Sequence, residues 1–235
     1  MKNDTVISIK NLVKRFPVGG DFFTALKNIN LDLHEGEFTG LVGPSGSGKT
    51  TLLNIIGGLD AASEGTVRVL EQSLDNTTHN ERAKLRRKYM GFIFQSYNLL
   101  PVYTVSENIE LPLILNKVRP NERIKKVNQA IEWVGLSDKR DSKPNMLSGG
   151  ECQRTAIARA LVHQPVLVMA DEPTANLDAE NSHSIMKTLA TLNEELDTSF
   201  VFATHDEKIM GYLKRIIRLE DGNIVKDEKM KKEDS

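Results

Sequence analysis

One octapeptide, Gly43-Pro44-Ser45-Gly46-Ser47-Gly48-Lys49-Thr50, constrains this chain more than any other stretch. It fits the pattern G-x-x-x-x-G-K-[ST], a loop built to hold phosphates. Its flanks matter as much as its letters. Residues 38–42 (FTGLV) read as a short buried strand, and Thr51-Leu52-Leu53-Asn54-Ile55-Ile56 as an apolar helix ended by Gly57-Gly58. Strand, glycine loop and helix in that order aim backbone N–H groups and a helix N-terminus at a phosphate chain. Gly43, Gly46 and Gly48 carry no Cβ, which permits unusual backbone angles and close approach. Lys49 is expected to reach the β- and γ-phosphates, and the Thr50 hydroxyl to ligate Mg²⁺, with Thr51 beside it. A chance glycine turn would not bring this strand and helix with it. The pattern predicts a nucleoside triphosphate site.

Composition narrows the setting. A chain of 235 residues can form one large domain or two small ones. A net charge of −1 argues against bulk attraction to nucleic acid or anionic lipid, so neither is expected as a partner. No apolar run approaches the roughly 20 residues that span a bilayer, and the first residues lack a signal peptide's apolar segment. The single Cys152 rules out an internal disulfide framework and fits a reducing compartment. A cytoplasmic protein is expected, without direct membrane insertion; work at a membrane would require another chain to supply the spanning helices.

Along the chain, the opening is β-rich. Strands are expected at 5–10 and 26–33, joined through a turn at Pro17-Val18-Gly19-Gly20-Asp21, and at 65–70 (GTVRVL). Residues 80–89 form a charged helix whose Arg82, Lys84, Arg86, Arg87 and Lys88 fit a solvated face better than a binding patch. After a compact strand at 91–95 (GFIFQ) the pattern turns helical: 106–115 interrupted by Pro112, then 120–134 with Ile124, Val127, Ile131 and Val134 on one face. Trp133 beside them fits packing better than a ligand platform. Sheet character returns at 165–170 (PVLVMA) and 199–203 (SFVFA), flanking a helix at 179–196. Residues 215–226 read as a hairpin turning at Asp221-Gly222. The charged tail 227–235 is expected to be disordered.

Two further constellations carry chemistry. The apolar run 166–170 delivers Asp171 and Glu172 to the C-terminal end of a strand, where open α/β sheets bind ligands. Asp171 suits a Mg²⁺-holding carboxylate, and Glu172 a general base for the attacking water. Upstream, Leu147-Ser148-Gly149-Gly150-Glu151-Cys152-Gln153-Arg154 is a glycine turn opening a helix, a second anion-facing terminus. That segment resembles the LSGGQ signature of ATP-binding cassette (ABC) ATPases. The resemblance covers residues 6–225, nearly the whole chain.

The resemblance implies an α/β fold of the P-loop ABC ATPase type, with an antiparallel β subdomain and an inserted helical subdomain. A single domain would span 1–226, with a core from 1–95 and 160–226 and the helical part at 96–159. It also implies further site residues. Gln95 matches the glutamine that contacts Mg²⁺ and water and borders a transmembrane partner. Asp178, in Asn176-Leu177-Asp178, matches a loop that crosses to a second subunit, although capping of the next helix fits it too. His205, in a Thr204-His205-Asp206 setting, matches the histidine that positions the γ-phosphate. Phe16 matches an adenine-stacking aromatic that is more often Tyr, and a core phenylalanine fits the position nearly as well. Ser148, Gly149, Gly150 and Glu151 would act in trans, on ATP held by a second copy. Cys152 departs from the usual polar residue of the signature; it stands at a helix N-terminus, where a thiol pKa can fall, but drift at a variable position explains it better than a redox switch.

Within the family, 94–101 (FQSYNLLP), 104–113 (TVSENIELPL) and 170–178 (ADEPTANLD, with Ala175 where Gly is usual) resemble the small ATPase subunits of lipoprotein-release, macrolide-export and cell-division systems. This likeness implies an ATP-hydrolysing subunit, dimeric around two ATP, peripheral on the cytoplasmic face of the inner membrane and driving an integral membrane permease. A cassette that regulates an extracytoplasmic cell-wall hydrolase or sensor would share every catalytic residue. A ribosome- or DNA-acting cassette normally carries two cassettes or long coiled-coil arms, and this chain has one cassette and neither. A GTPase would need Asn-Lys-x-Asp, and Asn116-Lys117-Val118-Arg119 fails at its last position.

Overall fold

Strands β1 (Thr5–Val18) and β2 (Asp21–His34) form a long antiparallel hairpin turned by Gly19 and Gly20, both at positive φ. This is a computed structural model that describes residues 5–75 and 77–230. Strand β3 (Phe38–Val42) and helix α1 (Lys49–Ile56) follow, then β4 (Glu64–Val69) and β5 (Gln72–Ser73), which complete a first sheet in the order β2-β1-β4-β5. The hairpin strands run well past the buried stretches that sequence alone marks. Beyond Val13, β1 no longer pairs with β4, so Pro17 sits where a missing N–H costs no ladder bond.

The second sheet has the order β10-β9-β3-β8-β7-β6, with β6 at Met90–Ile93, β7 at Leu167–Asp171, β8 at Ser199–Thr204, β9 at Arg215–Glu220 and β10 at Asn223–Lys229. All neighbours in it are parallel except β9–β10. Both faces are covered, and alternate residues feed two cores. Phe38, Val168, Phe200 and Phe202 pack toward the helical side, while Leu41, Met169 and Val201 pack toward α1 and the first sheet. That is why these strands read as continuous apolar runs.

Between β6 and β7 the chain is helical, with α3 (Val105–Leu115), α4 (Pro120–Trp133) and α5 (Gly149–Leu161); α2 (His79–Tyr89) precedes β6, and α6 (Ala179–Leu196) follows β7. The α/β fold expected from the family resemblance, with its antiparallel sheet and helical insertion, is the fold of the chain. Helices α2, α3 and α5 each start in a reciprocal capping box: Thr78 with Glu81, Thr104 with Glu107, Ser148 with Glu151.

Three expectations need correction. On α4, Val127, Ala130 and Ile131 are buried but Ile124 is 52% exposed, because periodicity fixes a face and not how far along it neighbours reach. Gln95 does not end a strand; β6 stops at Ile93, and Gln95 lies in the turn beyond it. The tail is ordered as far as Lys229. Buried Arg215 binds Asp227 through two bonds of 2.8 and 2.7 Å and Glu37 through a third of 2.9 Å, which fixes β10 despite its charged composition. Residues 231–235 of that tail lie outside the described residues.

Candidate active site

The phosphate loop is shaped by close packing. A Cβ on Gly43 would fall 2.1 Å from the Leu219 carbonyl oxygen, and one on Gly48, at φ +102°, 2.7 Å from Leu26. Only glycine fits either position. Gly48 caps α1 without a side chain, and the first turn of α1 holds no acid, so its leading N–H groups are left for an anion. The Ser47 hydroxyl is buried there without a hydrogen-bond partner among the described residues. Lys49 is itself buried, its ammonium donating to the Gly43 and Pro44 carbonyls at 2.8 and 2.9 Å. Burial pulls its pKa down, and the carboxylates of Glu172 and Asp171 oppose that. An orphan hydroxyl, a desolvated ammonium and an uncapped helix start suit phosphate oxygens.

The ends of β7 and β8 bring the predicted carboxylates to this loop. Thr50 Oγ1 donates to Asp171 Oδ1 at 3.0 Å, across 121 positions of sequence. Burial raises the Asp171 pKa, and the Thr50 bond and Lys49 work against it. Glu172 follows at φ +47°, with its N–H bound to the Ala203 carbonyl. His205 Nδ1 lies 2.6 Å from Glu172 Oε1, and Thr204 Oγ1 3.4 Å from the other oxygen. Among the described residues no three His, Cys, Asp or Glu side chains gather as a metal cage. The Thr50 hydroxyl and the Asp171 carboxylate are hard oxygen donors, of the kind that would hold Mg²⁺.

The structure thus gathers Lys49, Thr50, Asp171, Glu172 and His205 into one cluster. The other predicted residues outside the phosphate loop lie elsewhere. Ser148 caps α5: its Oγ accepts from Glu151 N at 3.3 Å, and its own N–H donates to Glu151 Oε2 at 2.7 Å. A Cβ on Gly150 would meet Asn181 Oδ1 at 2.8 Å, and one on Gly149 would meet Tyr97 Oη at 3.2 Å, so this turn packs on the start of α6. Asp178 caps α6, accepting from Asn181 N and Nδ2, both at 2.8 Å. Gln95 joins that neighbourhood through its backbone, its carbonyl accepting from Asn176 Nδ2 at 2.9 Å. Phe16 stands 37% exposed on the hairpin, opposite Phe23.

Cys152 is buried, with Sγ 3.6 Å from the Pro144 carbonyl, and burial raises its thiol pKa despite the helix N-terminus. Residues unmarked by motif also enter. A cavity of about 220 Å³ beside the phosphate loop is lined by His205, Met210 and Arg218; Arg218 arrives through the register of β9 with Val42, which no local pattern reveals. The ammonium of Lys14 sits 4.7 Å from the centre of the Phe16 ring. Its spacing of two along a strand could have flagged it.

The ABC transporter family is matched over residues 26–175. The chain is 47% identical over 223 residues to the lipoprotein-releasing system ATP-binding protein LolD of Francisella tularensis, covering 94% of this chain and 96% of that protein. It is 43% identical over 230 residues to the uncharacterized ABC transporter ATP-binding protein MJ0796 of Methanocaldococcus jannaschii, covering 96% and 98%. Its fold matches a dimeric structure of a post-hydrolysis state of the MJ0796 cassette bound to ADP and Pi, with TM-score 0.89, 42% identity, and coverage of 96% of this chain and 99% of that one.

Proposed function

The chain belongs to the ABC transporter family as an ABC-type ATPase, and from that premise we propose that two copies close head to tail around two ATP to drive a separate integral membrane protein in lipoprotein release or export. The observation that carries this reading is the division of the site. Lys49, Thr50, Asp171, Glu172 and His205 form one cluster, whereas Ser148 and Gly150 lie on another element, packed on the start of α6. In the proposed dimer each ATP lies between one copy's Lys49 and the other's Ser148.

Lys49 and the α1 amides bind and orient the triphosphate. Glu172 accepts a proton from the attacking water, and His205, 2.6 Å from its carboxylate, holds that carboxylate in place and reaches toward the γ-phosphate. Thr50 and Asp171 would hold Mg²⁺, which when bound neutralises phosphate charge. Hydrolysis removes the phosphate that bridges the copies, and the dimer opens.

No helix among the described residues is long and apolar enough to cross a membrane, which fits a subunit seated on the cytoplasmic face through its partner. A groove of about 760 Å³ between α2, β6 and α3 fits that partner's docking segment. Leu59, Phe92, Leu111 and Leu115 supply apolar wall, and Lys84, Arg86, Arg87 and Arg159 line it, with no carboxylate among the described lining residues. The α2 cations that read as a solvated face thus border a groove suited to an apolar segment with acidic groups.

The test is Glu172→Gln with Mg-ATP, followed by size-exclusion chromatography with light scattering. The variant keeps the shape and removes the base, so chemistry slows by roughly 10²–10⁴ and an ATP-loaded dimer accumulates. A variant that stays monomeric at high ATP and still turns over refutes both the base and the dimer. Lys84→Glu with Arg87→Glu should abolish co-purification of the membrane protein and leave ATP binding intact.

A further inference from the structure

We propose that Lys14 and Asp60 form a positioning pair that fixes the Phe16 ring as a one-sided platform for the nucleobase. The inference rests on the reading of Phe16 as the base-stacking residue and goes beyond it. Lys14 is a lysine that sequence gives no reason to bury, yet it is only 9% exposed. Its ammonium donates to Asp60 Oδ1 at 2.7 Å and to the Ala61 carbonyl at 2.9 Å, and lies 4.7 Å from the centre of the Phe16 ring. Removing an ammonium from water is costly unless its partners are well placed, and an ion pair whose Asp60 side chain is 36% exposed adds little stability of its own. What the arrangement provides is orientation. A cation over one face of an aromatic ring is attracted to that face and occupies it.

Phe16 therefore has one face taken, and a base can stack only on the other. Nearby aromatics underline the difference: Phe22 and Phe23, at the tip of the same hairpin, are 70% and 58% exposed. Phe16 also lacks the hydroxyl with which a tyrosine could anchor itself, so orientation must come from elsewhere. The pair ties the platform to the phosphate loop as well. Asp60 follows α1, whose first residues are Lys49 and Thr50. One eight-residue helix, about 12 Å long, holds the triphosphate groups at its start and the clamp of the base platform just past its end.

The experiment compares equilibrium binding of ATP with that of inorganic tripolyphosphate, which has no base to stack. Lys14→Met keeps the stem and removes the charge; it should weaken ATP binding about three- to tenfold and leave tripolyphosphate unchanged. Lys14→Arg should restore ATP binding, because a guanidinium keeps the cation over the ring. Asp60→Asn, which removes the carboxylate charge but leaves the lysine its bond to the Ala61 carbonyl, should give a smaller loss of the same kind. Equal weakening of both ligands by Lys14→Met, or no weakening of either, overturns the proposal. Phe16→Ala separates the two layers of argument. If it shows no ATP-selective loss, the base platform itself is wrong; if it does and Lys14→Met with Asp60→Asn do not, only the positioning pair is wrong.

Discussion

Helices α1 and α5 both begin at glycine turns, and they treat their N-termini in opposite ways. Gly48 leaves the start of α1 without a side-chain cap, with no acid in its first turn and a buried ammonium beside it. Ser148 and Glu151 close the start of α5 with a reciprocal box and put a carboxylate there. An uncapped terminus beside a lysine is anion-receptive in a lone chain; a self-capped terminus bearing its own negative charge is not. The difference teaches how one fold can hold half of two sites. In the proposed dimer the first half takes ATP within one chain, and the second meets the phosphate that the neighbouring copy holds.

The contrast can be broken most severely at α1. Lys49→Ala should reduce ATP turnover by roughly 10³-fold or more and abolish tight ATP binding, while circular dichroism stays that of the wild type. Turnover at the wild-type rate would end the assignment of the loop. At α5 the corresponding change should spare binding. Ser148→Arg in the Glu172→Gln background should leave ATP affinity of the monomer within about twofold of the parent, since no affinity term within one chain is touched, and prevent the ATP-loaded dimer. Light scattering that still reports a dimer would place the second half-site elsewhere.

Smaller effects sharpen the same comparison. Ser148→Ala deletes the α5 cap and should cost about 1 kcal/mol, or roughly 2–4 °C in thermal midpoint for a chain of this size. No equivalent loss is available at α1, where the cap is already glycine. The smallest effect is one of pH. The Ser148 N–H holds the Glu151 pKa below its ordinary 4.5. A depressed carboxylate pKa stabilises the fold above the unfolded value, and that contribution disappears as pH falls through the folded one. Glu151→Gln should therefore melt slightly below wild type at pH 7, with the gap closing as pH falls below 4.5 and through the folded pKa. A gap that persists in acid would assign the effect to shape rather than charge.

Much of the fold was legible along the chain. The helix at 179–196 matches α6 end for end, and the phosphate-loop strand matches β3, because buried periodicity and caps are local. The outer half of the hairpin was not legible, since Phe22 and Phe23 pair in a ladder without being buried. Nor was the ordered β10, which depends on Arg215 binding Asp227 twelve residues away.

The sequence by itself determined the phosphate loop and the two-sided apolar strands, because each rests on residues within a few positions of one another. Tertiary structure alone decided that Glu172 meets His205, that Thr50 meets Asp171, that Lys14 bonds Asp60 with its ammonium over the Phe16 ring, and that the Cys152 thiol is buried. The first three contacts depend on how the elements that carry their partners are placed against one another. Those placements come from how whole strands and helices pair and pack, and no short stretch encodes them.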